Sequence, residues 1–139
     1  MPLFFTPAQA DEVLPEVRKT VLQIMRLKKS SERLSDETQI ASETRRLEGE
    51  IGKLEDLGCV LKDWNTGLID FPAVRLGARV WLCWRSGEAK IEFWHGVHEG
   101  FASRKPVKDD EFYPDDLAIR ALAGEIPKLT QEHLEFLKE

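Results

Sequence analysis

Three histidines occur in the 139 residues, and two of them, His95 and His98, share one stretch, WHGVHEGFASRKP from Trp94 to Pro106, with Glu99, Arg104 and Lys105. Two imidazoles and a carboxylate are donors that a divalent cation takes, and His95, His98 and Glu99 leave room for a water that the ion would activate. These three converge only if the loop makes a helical turn, which Gly96 and Gly100 disfavour. The order His-x-x-His-Glu also differs from the His-Glu-x-x-His of zinc proteases. Arg104 offers a second chemistry. Its planar guanidinium holds a carboxylate or phosphate through two parallel hydrogen bonds, Lys105 adds charge, and Gly100 allows close approach of the backbone. A third reading is structural: a buried imidazole needs a partner at each nitrogen, and Glu16, Asp70 or Glu99 could supply one. The candidate ligand-binding residues are therefore Glu16, Asp70, His95, Glu99 and Arg104. The candidate metal ligands are His95, His98 and Glu99, with Asp70 or Glu16 behind them. The sequence has no Walker-type phosphate loop, dinucleotide fingerprint or Gly-x-Ser-x-Gly elbow.

The elements that must position these residues begin with FTPAQADEVLPEV. Thr6 and Gln9 form a capping box, Pro7 suits the first helical position, and Ala10, Leu14, Val17, Val21 and Ile24 share one face. Pro15 predicts a kink or break near residues 11–14 before the helix runs on to about Arg33. A second helix follows a cap at Ser35 or Asp36, with Ile40, Thr44, Leu47, Ile51 and Leu54 as its stripe and Gly58 as its end. Residues 15–34 carry six bases against two acids, and residues 36–56 carry seven acids against three bases. Narrow apolar seams and opposite charge predict an antiparallel hairpin.

After Gly58 the pattern becomes that of strands: CVLKDW, GLIDFP, ARVWLCWR and AKIEFWH. If Ser86 and Gly87 form a two-residue turn, Val80 pairs with Phe93, Leu82 with Ile91 and Trp84 with Ala89. That register puts His95 on the face that meets the helices. Two short helices close the chain, one between Pro114 and Gly124 and one capped by Thr130 that contains His133.

The blocks FTPAQADEVLPEVR, LGCVLKDWNTGLIDFPA, VWLCWRSGE and WHGVHEGFASRKP, spanning Phe5 to about Val107, together resemble domain-of-unknown-function family 2203, a group of small bacterial proteins. The resemblance implies this order of elements and supplies no activity, cofactor or catalytic residue.

The expected fold is one α+β domain over residues 1–139: a helical hairpin (6–57) packed on a four-stranded antiparallel meander (59–95), a loop (96–112), and C-terminal helices (114–139). With 25 acidic against 20 basic residues, general attraction to nucleic acid is not expected. The opening residues carry no basic leader or long apolar run, so a cytoplasmic protein outside the membrane is expected. Cys59 and Cys83 have no metal-ribbon or CxxC spacing and are expected to be buried free thiols. The leading expectation is a non-catalytic interaction or scaffold protein without a cofactor, homodimeric through the helical arm or the aromatic sheet face, with an unidentified protein as a further partner. The alternatives are a metal-binding protein or metal-dependent hydrolase centred on residues 95–99, and a binder of a small anion through Arg104.

Overall fold

A computed structural model describes residues 1–127. Helix α1 spans Pro7–Ser31 and starts where its chemistry says it should: Gln9 N donates to Thr6 Oγ1, and Thr6 N donates back to Gln9 Oε1. Its stripe of Ala10, Leu14, Val17, Val21 and Ile24 is buried. The expected break at Pro15 does not occur, and α1 runs through it as one helix. Pro15 lies on the exposed side of the helix. Helix α2, Glu37–Asp56, is capped by the Asp36 carboxylate, which accepts from Gln39 N. It packs on α1 through a narrow seam in which only Leu54 is fully buried, while Leu47 and Ile51 rest against the core.

Five strands follow: β1 Val60–Asp63, β2 Leu68–Arg75, β3 Ala78–Arg85, β4 Phe93–Gly96 and β5 Lys105–Pro106. They pair in sequential order, each antiparallel to its neighbour. Alternation along β2 and β3 sends Ile69, Phe71, Ala73, Val80, Leu82 and Trp84 into the core beneath the helices. The sheet therefore has five strands rather than four. Its last strand is two residues long and contains a proline, too short for any periodicity to mark it.

The pairing of β4 also corrects the sequence reading. Val80 opposes Gly96, Trp81 opposes His95, Leu82 opposes Trp94 and Cys83 opposes Phe93, a slip of three residues from a two-residue turn at Ser86-Gly87. An odd slip turns every β4 side chain to the other face. The cause is the connection that precedes β4. Glu88 N donates to Arg85 O, the Glu88 side chain accepts from Arg85 N, Trp84 Nε1 donates to Glu88 O, and Ile91 N donates to Asp11 Oδ1. These bonds hold the chain off the ladder until residue 93.

Helix α3, Asp115–Leu122, covers one end of the face away from the hairpin, where Ala118 and Ala121 pack with Val74 and Tyr113. The Asp115 carboxylate accepts from Leu3 N and Phe4 N and so ties the chain start to this layer. The expected last helix, with Thr130 and His133, lies outside the described residues. No helix among the described residues is long and apolar enough to cross a membrane.

Gly67 turns β1 into β2 at φ 65°, and a Cβ there would meet Val21 Cγ1 and Ser86 Cβ at 2.8 Å. Gly67→Ala should therefore cost about 2–4 kcal/mol, from left-handed backbone strain plus overpacking. Gly87→Ala, at φ 102° with open space around it, should carry the backbone part alone. Urea unfolding of the two variants checks the difference.

Candidate functional site

The slip of β4 decides which residues meet. On the face turned away from the hairpin, Asp70 of β2 opposes Cys83 of β3, and His95 of β4 opposes Trp81, next along β3 on that face. The three side chains converge. Asp70, Cys83 and His95 are 2 %, 0 % and 3 % exposed, and one donor atom from each lies within 4.8 Å of the others. His95 Nε2 stands 3.0 Å from both oxygens of Asp70. Its Nδ1 lies 2.8 Å from the Gly96 carbonyl, which can only accept, so Nδ1 carries a proton and donates it there. With Nδ1–H so used, the contact between Nε2 and the Asp70 carboxylate joins two acceptors and needs a second proton between them.

The segment after β4 folds over this floor and is pinned in three places. Gly96 N and Lys105 Nζ both donate to Glu99 Oε1, at 2.7 and 2.9 Å. A Cβ on Gly96 would meet that oxygen at 2.6 Å, so glycine is required for the contact. A 3-10 turn, Phe101–Ser103, then brings Phe101 across, and the Arg104 guanidinium sits between the Phe93 and Phe101 rings, 4.2 and 4.0 Å from their centroids. Arg104 donates from one nitrogen to both carboxylate oxygens of Glu88 at 2.8 and 2.9 Å. Between floor and lid lies a cavity of about 170 Å³, lined by Asp70, His95 and Glu99 with Lys62, Trp81 and Phe101 among others.

Electrostatics separates the thiol from catalytic use. Burial, then the negative charge of Asp70, push the Cys83 thiol up to about 12, against a smaller opposing effect of Arg104. A nucleophilic cysteine needs the reverse, a thiol lowered by an adjacent imidazole, and here Asp70 occupies His95 Nε2. At the rim, hydrogen bonds from Lys105 and then Gly96 N hold the exposed Glu99 below the usual carboxylate range.

Of the residues singled out from sequence, His95 and Asp70 bond directly and Glu99 lines the cavity above them. His98 is exposed and stands outside the cluster. Glu16 is exposed on α1, which packs on the other face of the sheet. Arg104 is close by, but Glu88 rather than a ligand fills its grip. Cys83 and Lys62 were missed. Their signal was present: Asp70, a charge in the middle of an otherwise apolar strand, has Cys83 as its cross-strand partner once β2 and β3 are joined through Leu76-Gly77.

The fold and this cluster define a small α+β protein with a polar site built on the sheet face opposite a helical hairpin. The model of the family described as "Uncharacterized conserved protein (DUF2203)" matches residues 3–107, and the chain belongs to that family. The match covers every residue of the cluster and its lid and ends before α3. No curated protein and no solved structure matches the chain.

Both cysteines are free and buried, and burial raises Cys59 as well, to about 12 from an ordinary value of 9.0. Neither thiol should react with a disulfide reagent at pH 8 until the protein unfolds. A thiol raised on folding keeps its proton where the unfolded chain has lost it. Its contribution is complete below pH 9 and falls as pH rises toward 12, by about 1.4 kcal/mol per pH unit per thiol. Cys59→Ala should flatten the loss of stability between pH 9 and 11, measured by urea unfolding.

Proposed function

We propose that this is a metal-binding protein in which Asp70, Cys83 and His95 hold one divalent ion of the zinc class. The observation that carries this reading is the orientation of His95: Nδ1–H is tied to a backbone carbonyl while Nε2 faces a carboxylate and a thiol, all three groups almost fully buried. A ligating histidine has this second hydrogen bond, which fixes its tautomer and ring plane. A buried carboxylate–imidazole pair by itself brings little net stability, because desolvation offsets its attraction. An ion gives the three donors a common purpose. One sulfur, one nitrogen and one oxygen suit zinc and disfavour magnesium and calcium, which take oxygen. Tetrahedral zinc sets such donors roughly 3.3–3.5 Å apart. From the present separations, the 3.0 Å His95–Asp70 pair would open by about 0.3–0.5 Å and the widest pair, no more than 4.8 Å, would close by at most about 1.5 Å. Three protein ligands leave a fourth position toward the cavity, the arrangement of a reactive rather than a purely structural zinc. This set replaces His98 and Glu99 as ligands, with Glu99 left at the rim as an ionised carboxylate.

Protein purified without an affinity tag or chelator should contain close to one equivalent of zinc, manganese, nickel or iron by elemental analysis. Asp70→Asn and Cys83→Ser, which keep size and hydrogen bonding, should lower affinity by at least about 100-fold. His98→Ala should keep the metal. Metal-free protein that also fails to bind added zinc, or variants that retain it, would contradict the assignment.

A second reading concerns the helical arm. The opposite charges of α1 and α2 do not pair within the hairpin: among the described residues the ion pairs of α2 are Glu43–Arg46 and Glu50–Lys53, both internal, and none joins α2 to α1. Each helix therefore keeps a charged surface that the other helix of a second copy complements, beside the exposed Leu22 and Ile40. We infer a homodimer through the arms. Sedimentation should give twice the chain mass at low salt, and Lys29→Glu with Arg33→Glu should return it to the monomer; a monomer at every concentration and salt level sinks this reading.

A further inference from the structure

We propose that the open position of the metal centre takes a small monocarboxylate, with Lys62 as the second anchor of its carboxylate; this rests on the metal reading above. Charge selects the ligand. A divalent ion, the Cys83 thiolate, the Asp70 carboxylate and a neutral His95 sum to zero. At the rim, Glu99 and Lys105 cancel each other through their 2.9 Å ion pair. Among the charged residues that line the cavity this leaves Lys62. Its ammonium lies 5.3 Å from the centroid of the Trp81 ring, and among the described residues it forms no ion pair. Loaded with metal, the site therefore carries one net positive charge and an accessible Lewis acid, which favours an anion of charge −1.

Shape narrows the choice. The cavity of about 170 Å³, open on one side, has room for about five or six water-sized groups, enough to seat a carboxylate with a short tail such as butyrate. Beside its polar floor the lining is apolar, with Leu68, Trp81, Val97 and Phe101. A sulfate or phosphate has nothing to offer those walls, whereas a carboxylate with a short aliphatic tail places one oxygen on the metal, the other toward Lys62, and the tail on the rings. Arg104, the residue that sequence alone marks for an anion, is excluded from this role because Glu88 holds it on both oxygens. Its work is to keep Phe101 over the cavity, through the stack at 4.0 Å.

Visible absorption of the cobalt(II)-loaded full chain tests this. Cobalt should load at one equivalent, and its band should shift on titration with acetate and with butyrate. Butyrate should bind about tenfold more tightly than acetate, since it buries two further CH2 groups. Butylamine, of the same size and opposite charge, should leave the band unchanged. In Lys62→Gln the cobalt stoichiometry should stay at one equivalent while the butyrate midpoint rises at least tenfold, the loss of one charge-assisted hydrogen bond. Cobalt bound at one equivalent with a spectrum indifferent to butyrate, or a butyrate midpoint unmoved in Lys62→Gln, overturns the carboxylate site and leaves the metal centre standing. Failure to take up cobalt overturns the metal centre and the carboxylate site together.

Discussion

Residues 86–92 set the register of β4 against β3, and that register decides on which face every β4 side chain lies. Glu88 is at the centre of the constraint. Its side chain accepts from Arg85 N and from Arg104, and its carbonyl accepts from Trp84 Nε1 and Arg18. Arg18 also reaches the Ala89 carbonyl, and Asp11 takes the N–H of Ile91, so the first helix holds the connection from the other side. A shift of one residue at this point would turn His95 into the core and Trp94 out of it. The same glutamate that fixes the strand also fixes the lid, because it orients Arg104 between two phenylalanine rings.

The two faces of the sheet consequently do different work. The face under the hairpin is apolar, with Phe71 edge-on to Phe5 at 5.0 Å and Trp84 closing the layer. The opposite face buries Asp70 and His95 without an aliphatic layer over them, under a lid held by ion pairs and stacked rings. Burying polar groups costs stability unless each is hydrogen-bonded, and among the described residues no buried side-chain nitrogen or oxygen lacks a partner. Such a network holds the three donors close together, so that only local adjustment separates the present arrangement from one around a ligand.

What could be read from the sequence was what local chemistry decides. The Thr6–Gln9 capping box, the stripe from Ala10 to Ile24 and the Asp36 cap all depend on neighbours within a few residues, and all stand in the structure. The pairing of His95 with one of three named carboxylates follows from a count of donors and acceptors once the residue is buried, whereas its burial was expected from a register that the structure overturns. The face on which it lies does not follow from local sequence, because the bonds that displace β4 run from Asp11 and Arg18 to residues 88–91, some seventy to eighty positions away. Cys83 as a partner of His95 was hidden for the same reason, since in the unslipped register it pairs with Lys90. Pro15 does not break α1, which is continuous through it with the proline on the exposed side.

X-ray absorption at the zinc edge of the wild-type protein tests the central claim most directly, because it counts donor atoms by element. The account predicts a four-coordinate shell of one sulfur at about 2.3 Å and three nitrogen or oxygen neighbours at about 2.0 Å, with the sulfur lost in Cys83→Ser. A shell of nitrogen and oxygen alone in the wild-type protein would move the ion away from Cys83 and contradict the site; a protein that takes up no added zinc would contradict it outright.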